Sequence, residues 1–117
     1  DILYKRIESR IDRMFQRGLI DEVRTLLNKP LGLSKQASQA LGYKEIIDFF
    51  NGKYTLSEVT GVIKQRTRRF AKRQMTWFRS FSNIYWIRAY ADDDTTRPSE
   101  KALEWFSQNK PLLKEMV

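Results

Sequence analysis

Residues 55–79, TLSEVTGVIKQRTRRFAKRQMTWFR, decide the architecture. Thr55-Leu56-Ser57-Glu58 has the pattern of a capping box, in which a hydroxyl accepts from the backbone three residues on and a carboxylate reaches back. A helix is therefore predicted from Ser57 to about Phe81, roughly 36 Å long. On its wheel the apolar side carries Val59, Ile63, Phe70, Trp77 and Phe81. Lys64, Arg68, Lys72 and Arg79 lie roughly opposite, and Arg66, Arg69 and Arg73 border the apolar stripe. From Lys64 to Arg79 there are seven basic residues and no acidic one. The whole chain carries a formal net charge of +8, so the remainder is close to neutral. Such a run is either a solvated helix face with snorkelling stems or a binding face for a polyanion. Cations at helical spacing without Glu at i±4 repel one another, so a phosphate partner is the simpler explanation.

The rest of the composition narrows the chemistry. The chain has 117 residues, with 22 Lys plus Arg against 14 Asp plus Glu, enough for one small domain. With 41% hydrophobic and 13% aromatic residues it can build a core. It has no Cys and no His, which excludes thiol nucleophiles, disulfides, zinc fingers and imidazole acid–base catalysis. No apolar run approaches the 18 or so residues of a membrane span. None of the five glycines falls in a G-x-x-x-x-G-K-[ST] or G-x-G-x-x-G phosphate loop, and no metal site is indicated. A positive balance without these devices points first to binding a polyanion.

Working outward from the long helix, the chain reads as mainly α. Residues 2–15 place Leu3, Ile7 and Met14 within about 40° of one another on a helix that Gly18 stops. Asp21 and Glu22 open a second helix through Val23, Leu26 and Leu27, ended at Asn28-Lys29-Pro30. A third helix is expected from about Ser38 to Phe50, and Gly42 within it implies a bend or a close approach to the backbone. Residues 83–89, NIYWIRA, alternate like one strand, although a strand needs a partner to pair with. Asp92 to Pro98 reads as a loop, and Ser99 with Glu100 starts a last helix.

Several side chains stand out. Arg10 falls within about 20° of Leu3 on the wheel, along the apolar stripe. It either snorkels to solvent, pairs with Glu8, Asp12 or another carboxylate, or sits at a pocket rim to clamp a phosphate or diphosphate. Thr67 and Gln74 project near the apolar stripe of the long helix, where a polar group needs a partner, either backbone or a bound nucleotide. Gln39-Ala40-Leu41-Gly42-Tyr43-Lys44 combines an accessible backbone, an aromatic and a cation, a set that can stack on and clamp a nucleotide. Trp77, Phe78, Phe81, Tyr85 and Trp86 are expected in the core.

Three stretches together resemble one family. LYKRIESRIDRM followed by GLIDEV (3–23), QALGYKE (39–45) and IKQRTRRFAKRQMTWFR (63–79) are similar, in order and spacing, to segments of the tRNA dimethylallyltransferases. The resemblance implies an enzyme that transfers a dimethylallyl group from dimethylallyl diphosphate to N6 of the adenosine adjacent to the tRNA anticodon, using magnesium. It implies an α/β parent related to P-loop kinases with a helical insertion, of which residues 1–117 would be the C-terminal portion and inactive alone. The phosphate loop and the general-base Asp would lie elsewhere, as would the magnesium ligands.

Carried over by position, the second Arg of R-I-x-x-R matches Arg10, which in the family contacts the diphosphate. Gln39, Ala40, Leu41, Gly42, Tyr43 and Lys44 match one tRNA-holding segment. Lys72, Arg73, Gln74, Met75, Thr76, Trp77, Phe78 and Arg79 match another, and Arg66, Arg68 and Arg69 are further candidate phosphate contacts. The partner implied is the tRNA anticodon stem-loop, met by a monomeric, cytoplasmic enzyme. The missing Cys/His zinc finger of eukaryotic members favours a bacterial type. Two other readings remain beside this one: an autonomous basic helical module that binds RNA or DNA, and a helical domain whose basic face meets an acidic protein.

Overall fold

A computed structural model describes residues 2–88 and 96–109. Six helices follow in order: α1 Ile2–Gln16, α2 Leu19–Leu27, α3 Lys35–Ser38, α4 Tyr43–Phe50, α5 Leu56–Arg79 and α6 Thr96–Gln108. The chain divides into two units, residues 1–80 and 81–117.

In the first unit, Gly18 separates α1 from α2 with φ 93°, a left-handed geometry that costs other residues strain. Asp21 and Glu22 lie in the first turn of α2, where carboxylates suit the helix dipole. At the start of α5 the Thr55 hydroxyl accepts from the Glu58 amide at 3.2 Å, as the capping signal predicts. The helix expected from about Ser38 to Phe50 starts only at Tyr43, and a separate short helix, α3, ends at Ser38. Ser34 caps α3 by accepting from the Ala37 amide at 3.1 Å, and the chain turns through residues 39–42 before α4 starts. Gly42 makes the turn with φ 98° and ψ −52°, so the bend alternative holds.

The core consists of Ile11, Leu19, Val23, Ile46, Val59 and Ile63. It joins α1, α2, α4 and α5, with Ile7, Phe15, Leu27, Tyr43 and Ile47 packed around it. The buried edge of α1 is thus Ile7–Ile11–Phe15 at i, i+4, i+8. Leu3 and Met14, which the wheel placed at the centre of the stripe, are 44% and 39% exposed. Only the N-terminal half of α5 enters the core. Phe70, Trp77 and Phe78 are 47%, 58% and 41% exposed, and Phe81, Tyr85 and Trp86 are also exposed. The core position expected for Trp77, Phe78, Phe81, Tyr85 and Trp86 is therefore incorrect; Trp77 and Phe78 are exposed because α5 runs on past its last buried residue, Ile63.

In the second unit, residues 84–88 form no strand; Ala89 lies outside the described residues. The described residues contain no second strand to pair with this segment, and period-2 alternation alone does not satisfy a ladder. Tyr85 instead stacks on Trp105 of α6, ring centroids 5.4 Å apart. Helix α6 begins at Thr96, three residues before the expected start, with Pro98 in its first turn, where a missing N–H is tolerated. The loop expected over 92–98 lies outside the described residues as far as residue 95.

Candidate functional site

Electrostatics sort the basic residues of α5 into two classes. Lys64 Nζ lies 2.7 Å from Asp12 Oδ1, Arg68 pairs with Glu8, and Arg66 Nη1 donates to Glu45 Oε1 at 2.9 Å. Steps of +4 on α5 meet steps of −4 on α1, so the two helices run antiparallel with an ion-pair ladder between them. The row Lys64–Arg68, placed opposite the apolar stripe by the wheel, thus faces α1. Arg69, Lys72, Arg73 and Arg79 make no ion pair among the described residues. One step further along the ladder the spacing leads to Lys72 and Tyr4, and Tyr4 carries no carboxylate to continue it. There a cleft of about 400 Å³ opens, lined by Tyr4, Lys72, Met75, Thr76 and Arg79.

Arg10 is exposed, and no carboxylate pairs with it among the described residues. Glu8 and Asp12, the local acids that offered the ion-pair reading, are both engaged by α5. Arg10 borders an apolar cleft of about 190 Å³ whose walls include Ile7, Met14, Leu19, Leu41, Gly42, Ile63 and Thr67. Residues from all three motif stretches therefore meet in one depression. Arg13 on the same helix and Arg17 in the turn just after it extend the cationic edge from Arg10. Neither was singled out from sequence, although spacing of i, i+3 and i+7 was a signal for it.

Leu41 is shared with a second groove lined by Arg66, Arg69, Phe70 and Arg73. The Arg73 guanidinium lies 5.9 Å from the Phe70 ring centroid, a cation placed over an aromatic face. Gln39, Ala40 and Lys44 flank Leu41–Gly42 in sequence, and Ala40 is exposed. Tyr43 is half-buried. It packs against the core, and its phenol donates to Glu22 Oε1 at 3.0 Å. That bond, with burial and the carboxylate charge, raises its pKa above the ordinary tyrosine value.

The two polar residues of α5 resolve differently. Thr67 donates to the Ile63 carbonyl at 2.7 Å, the backbone alternative, while its residue still lines the Arg10 cleft. Gln74 is exposed and water can satisfy it. No group of three or more Asp or Glu among the described residues could hold a metal ion.

An IPP transferase family model matches residues 1–81. The chain belongs to that family. It is 52% identical over 86 residues to the tRNA dimethylallyltransferase of Desulforamulus reducens, covering 74% of this chain and 30% of that protein. With the same enzyme of Alkaliphilus oremlandii it shares 45% over 106 residues, 89% of this chain and 33% of that protein. The crystal structure of the full-length tRNA isopentenylpyrophosphate transferase from Bacillus halodurans superposes with a TM-score of 0.81 at 37% identity. That match covers 98% of this chain and 38% of the other. The chain thus spans about a third of the length of these IPP transferases. No described helix is long and apolar enough to cross a membrane.

Proposed function

We propose that residues 1–117 are the C-terminal, tRNA-gripping part of a tRNA dimethylallyltransferase. The acceptor would be N6 of the adenosine adjacent to the anticodon, the donor dimethylallyl diphosphate, and the setting the bacterial cytoplasm. The P-loop catalytic part and the general base would belong to the remainder of the enzyme, which works as a monomer. The observation that carries this reading is Arg10. Its guanidinium has no carboxylate partner among the described residues and stands at the rim of an apolar cleft to which all three motif stretches contribute.

A prenyl diphosphate has an apolar tail and an anionic head, and that cleft offers apolar walls beside one cation. Arg10 would hold the diphosphate in bidentate fashion and stabilise the charge that grows on it as the carbon–oxygen bond breaks. Arg69, Lys72, Arg73 and Arg79, with Phe70 and Trp77 exposed among them, suit an RNA backbone and its unstacked bases. Gln39, Ala40 and Lys44 would add to the same surface. Arg66 and Arg68 are weaker candidates because carboxylates already neutralise them. Magnesium would be held by residues of the remainder of the enzyme.

Prenyl transfer by the complete enzyme tests the reading. Arg10→Ala should lower turnover by ~100-fold, the usual effect of removing one charge-stabilising donor, with tRNA affinity nearly unchanged. A drop in tRNA affinity with turnover intact would remove the diphosphate role. The 117-residue chain should bind tRNA with an affinity that falls steeply with salt. Lys72→Gln with Arg73→Gln should flatten that slope by about 0.7–0.9 for each phosphate no longer neutralised.

A further inference from the structure

Glu45 is the one buried charged residue among the described residues, its side chain 3% exposed. Both of its oxygens are used. Oε2 accepts from the Gly42 amide at 2.7 Å, and Oε1 accepts from Arg66 Nη1 at 2.9 Å. The first bond closes the turn that starts α4, at a glycine whose own side chain can cap nothing. The second ties that turn to α5, 21 residues away. Leu41 and Gly42 are the part of the turn that walls the Arg10 cleft, and Leu41 also walls the Arg69–Arg73 groove.

We propose that Glu45 and Arg66 are positioning residues that clamp the Leu41–Gly42 wall against α5, and that Arg66 is the counter-ion of this clamp and not a contact for RNA phosphate. The proposal rests on the reading of the basic grooves as an RNA-binding surface. A carboxylate buried to this degree is costly unless it is paired and fully hydrogen-bonded. Arginine suits the task because it stays charged and offers several donors in a rigid fork. The pairing also raises the Arg66 pKa, first through the hydrogen bond to Glu45. The clamp thereby removes one cation from the seven that a charge count assigns to RNA, and uses it to hold the wall in place.

The two roles of Arg66 predict opposite outcomes. The probe is an unmodified anticodon stem-loop hairpin, titrated into the 117-residue chain over a range of salt. If the clamp positions the wall, Glu45→Gln lowers affinity about tenfold, a coupling of the size seen between residues in one network, although it raises the net charge. Arg66→Gln does the same, leaves the salt slope unchanged, and adds nothing to Glu45→Gln in the double variant. Arg66→Lys, which keeps a cation near Glu45, restores most of the affinity. If Arg66 is instead a phosphate contact that Glu45 screens, Glu45→Gln strengthens binding and steepens the slope, and the proposal is overturned.

The Gly42 amide proton gives a readout free of RNA. Withdrawing the carboxylate charge should move its resonance upfield in Glu45→Gln, and an unmoved resonance refutes the clamp. Should the wild-type chain bind no hairpin at all, the RNA reading fails while this resonance still decides the Glu45 bond. If Glu45→Gln does not fold, the Arg66 variants carry the same comparison, and a flattened slope in Arg66→Gln overturns the proposal.

Discussion

Lys64 Nζ and Asp12 Oδ1 are 2.7 Å apart across α1 and α5, and one turn further along both helices Arg68 meets Glu8. These pairs change what the basic helix offers a ligand. A run that looks uncompensated along the chain is partly compensated in space. The side chains of the two rungs keep between 23% and 50% of their exposure, so each pair contributes little to stability.

Glu8→Gln should therefore cost less than about 1 kcal/mol of stability while releasing Arg68. Its measurable effect is on polyanion binding. Hairpin affinity should rise, with the salt slope steeper by up to about 0.7–0.9, one phosphate contact. Lower affinity with an unchanged slope would show that Arg68, like Arg66, acts through position alone.

Two glycines test backbone against space. A Cβ added at Gly42 or Gly61 meets nothing within 4 Å, so only conformation separates them. Gly42 has φ +98°, and Gly42→Ala should lose about 1–3 kcal/mol to strain. Gly61 sits inside α5, and Gly61→Ala should gain about 0.4–1 kcal/mol by restricting the unfolded chain. Urea unfolding of the two variants should shift in opposite directions, and a shared direction would contradict this account of the 39–42 turn.

Ile46 is 0% exposed at the junction of α4 with the core, whereas Leu31 is 98% exposed. Ile46→Ala should cost about 2–5 kcal/mol, a large share of the stability of so small a unit. Leu31→Ser should stay within about 0.5 kcal/mol of wild type. Thermal melts of both variants check the assignment of the core, and a severe loss at Leu31 would mean that it is covered.

Tyr43 predicts an alkaline effect. Its raised pKa means that the folded state favours the neutral phenol that donates to Glu22. The stability it contributes is complete below the ordinary tyrosine value of about 10 and is lost as pH rises through the higher folded value. Between about pH 9 and pH 12, bracketing that range, the melting temperature of the wild type should fall more steeply than that of Tyr43→Phe. Parallel curves would remove the Tyr43–Glu22 bond from the stability of the α2–α4 contact.

Local signals were legible where they act within one or two turns. The cap at Thr55, the end of α2 at Asn28, the stop at Gly18 and the span of α5 all depend on neighbours a few residues away, and all were readable. The alternation of residues 83–89 misled because a strand is defined by its partner. The Leu3–Ile7–Met14 stripe missed Ile11 because a wheel shows one side of a helix without showing what covers it. The burial predicted for Trp77 and Phe78 failed for the same reason.

Helical character, the concentration of charge on one helix, and the family resemblance of the three motif stretches can all be read along the chain. Which cations remain free cannot, because that depends on what folding brings near them. Arg66 finds its acid 21 residues away and Arg68 finds its acid 60 residues away, separations that no local periodicity encodes. Folding places α1 and α4 against α5 and so neutralises Lys64, Arg66 and Arg68. It leaves Arg10, Arg69, Lys72, Arg73 and Arg79 without a carboxylate partner among the described residues.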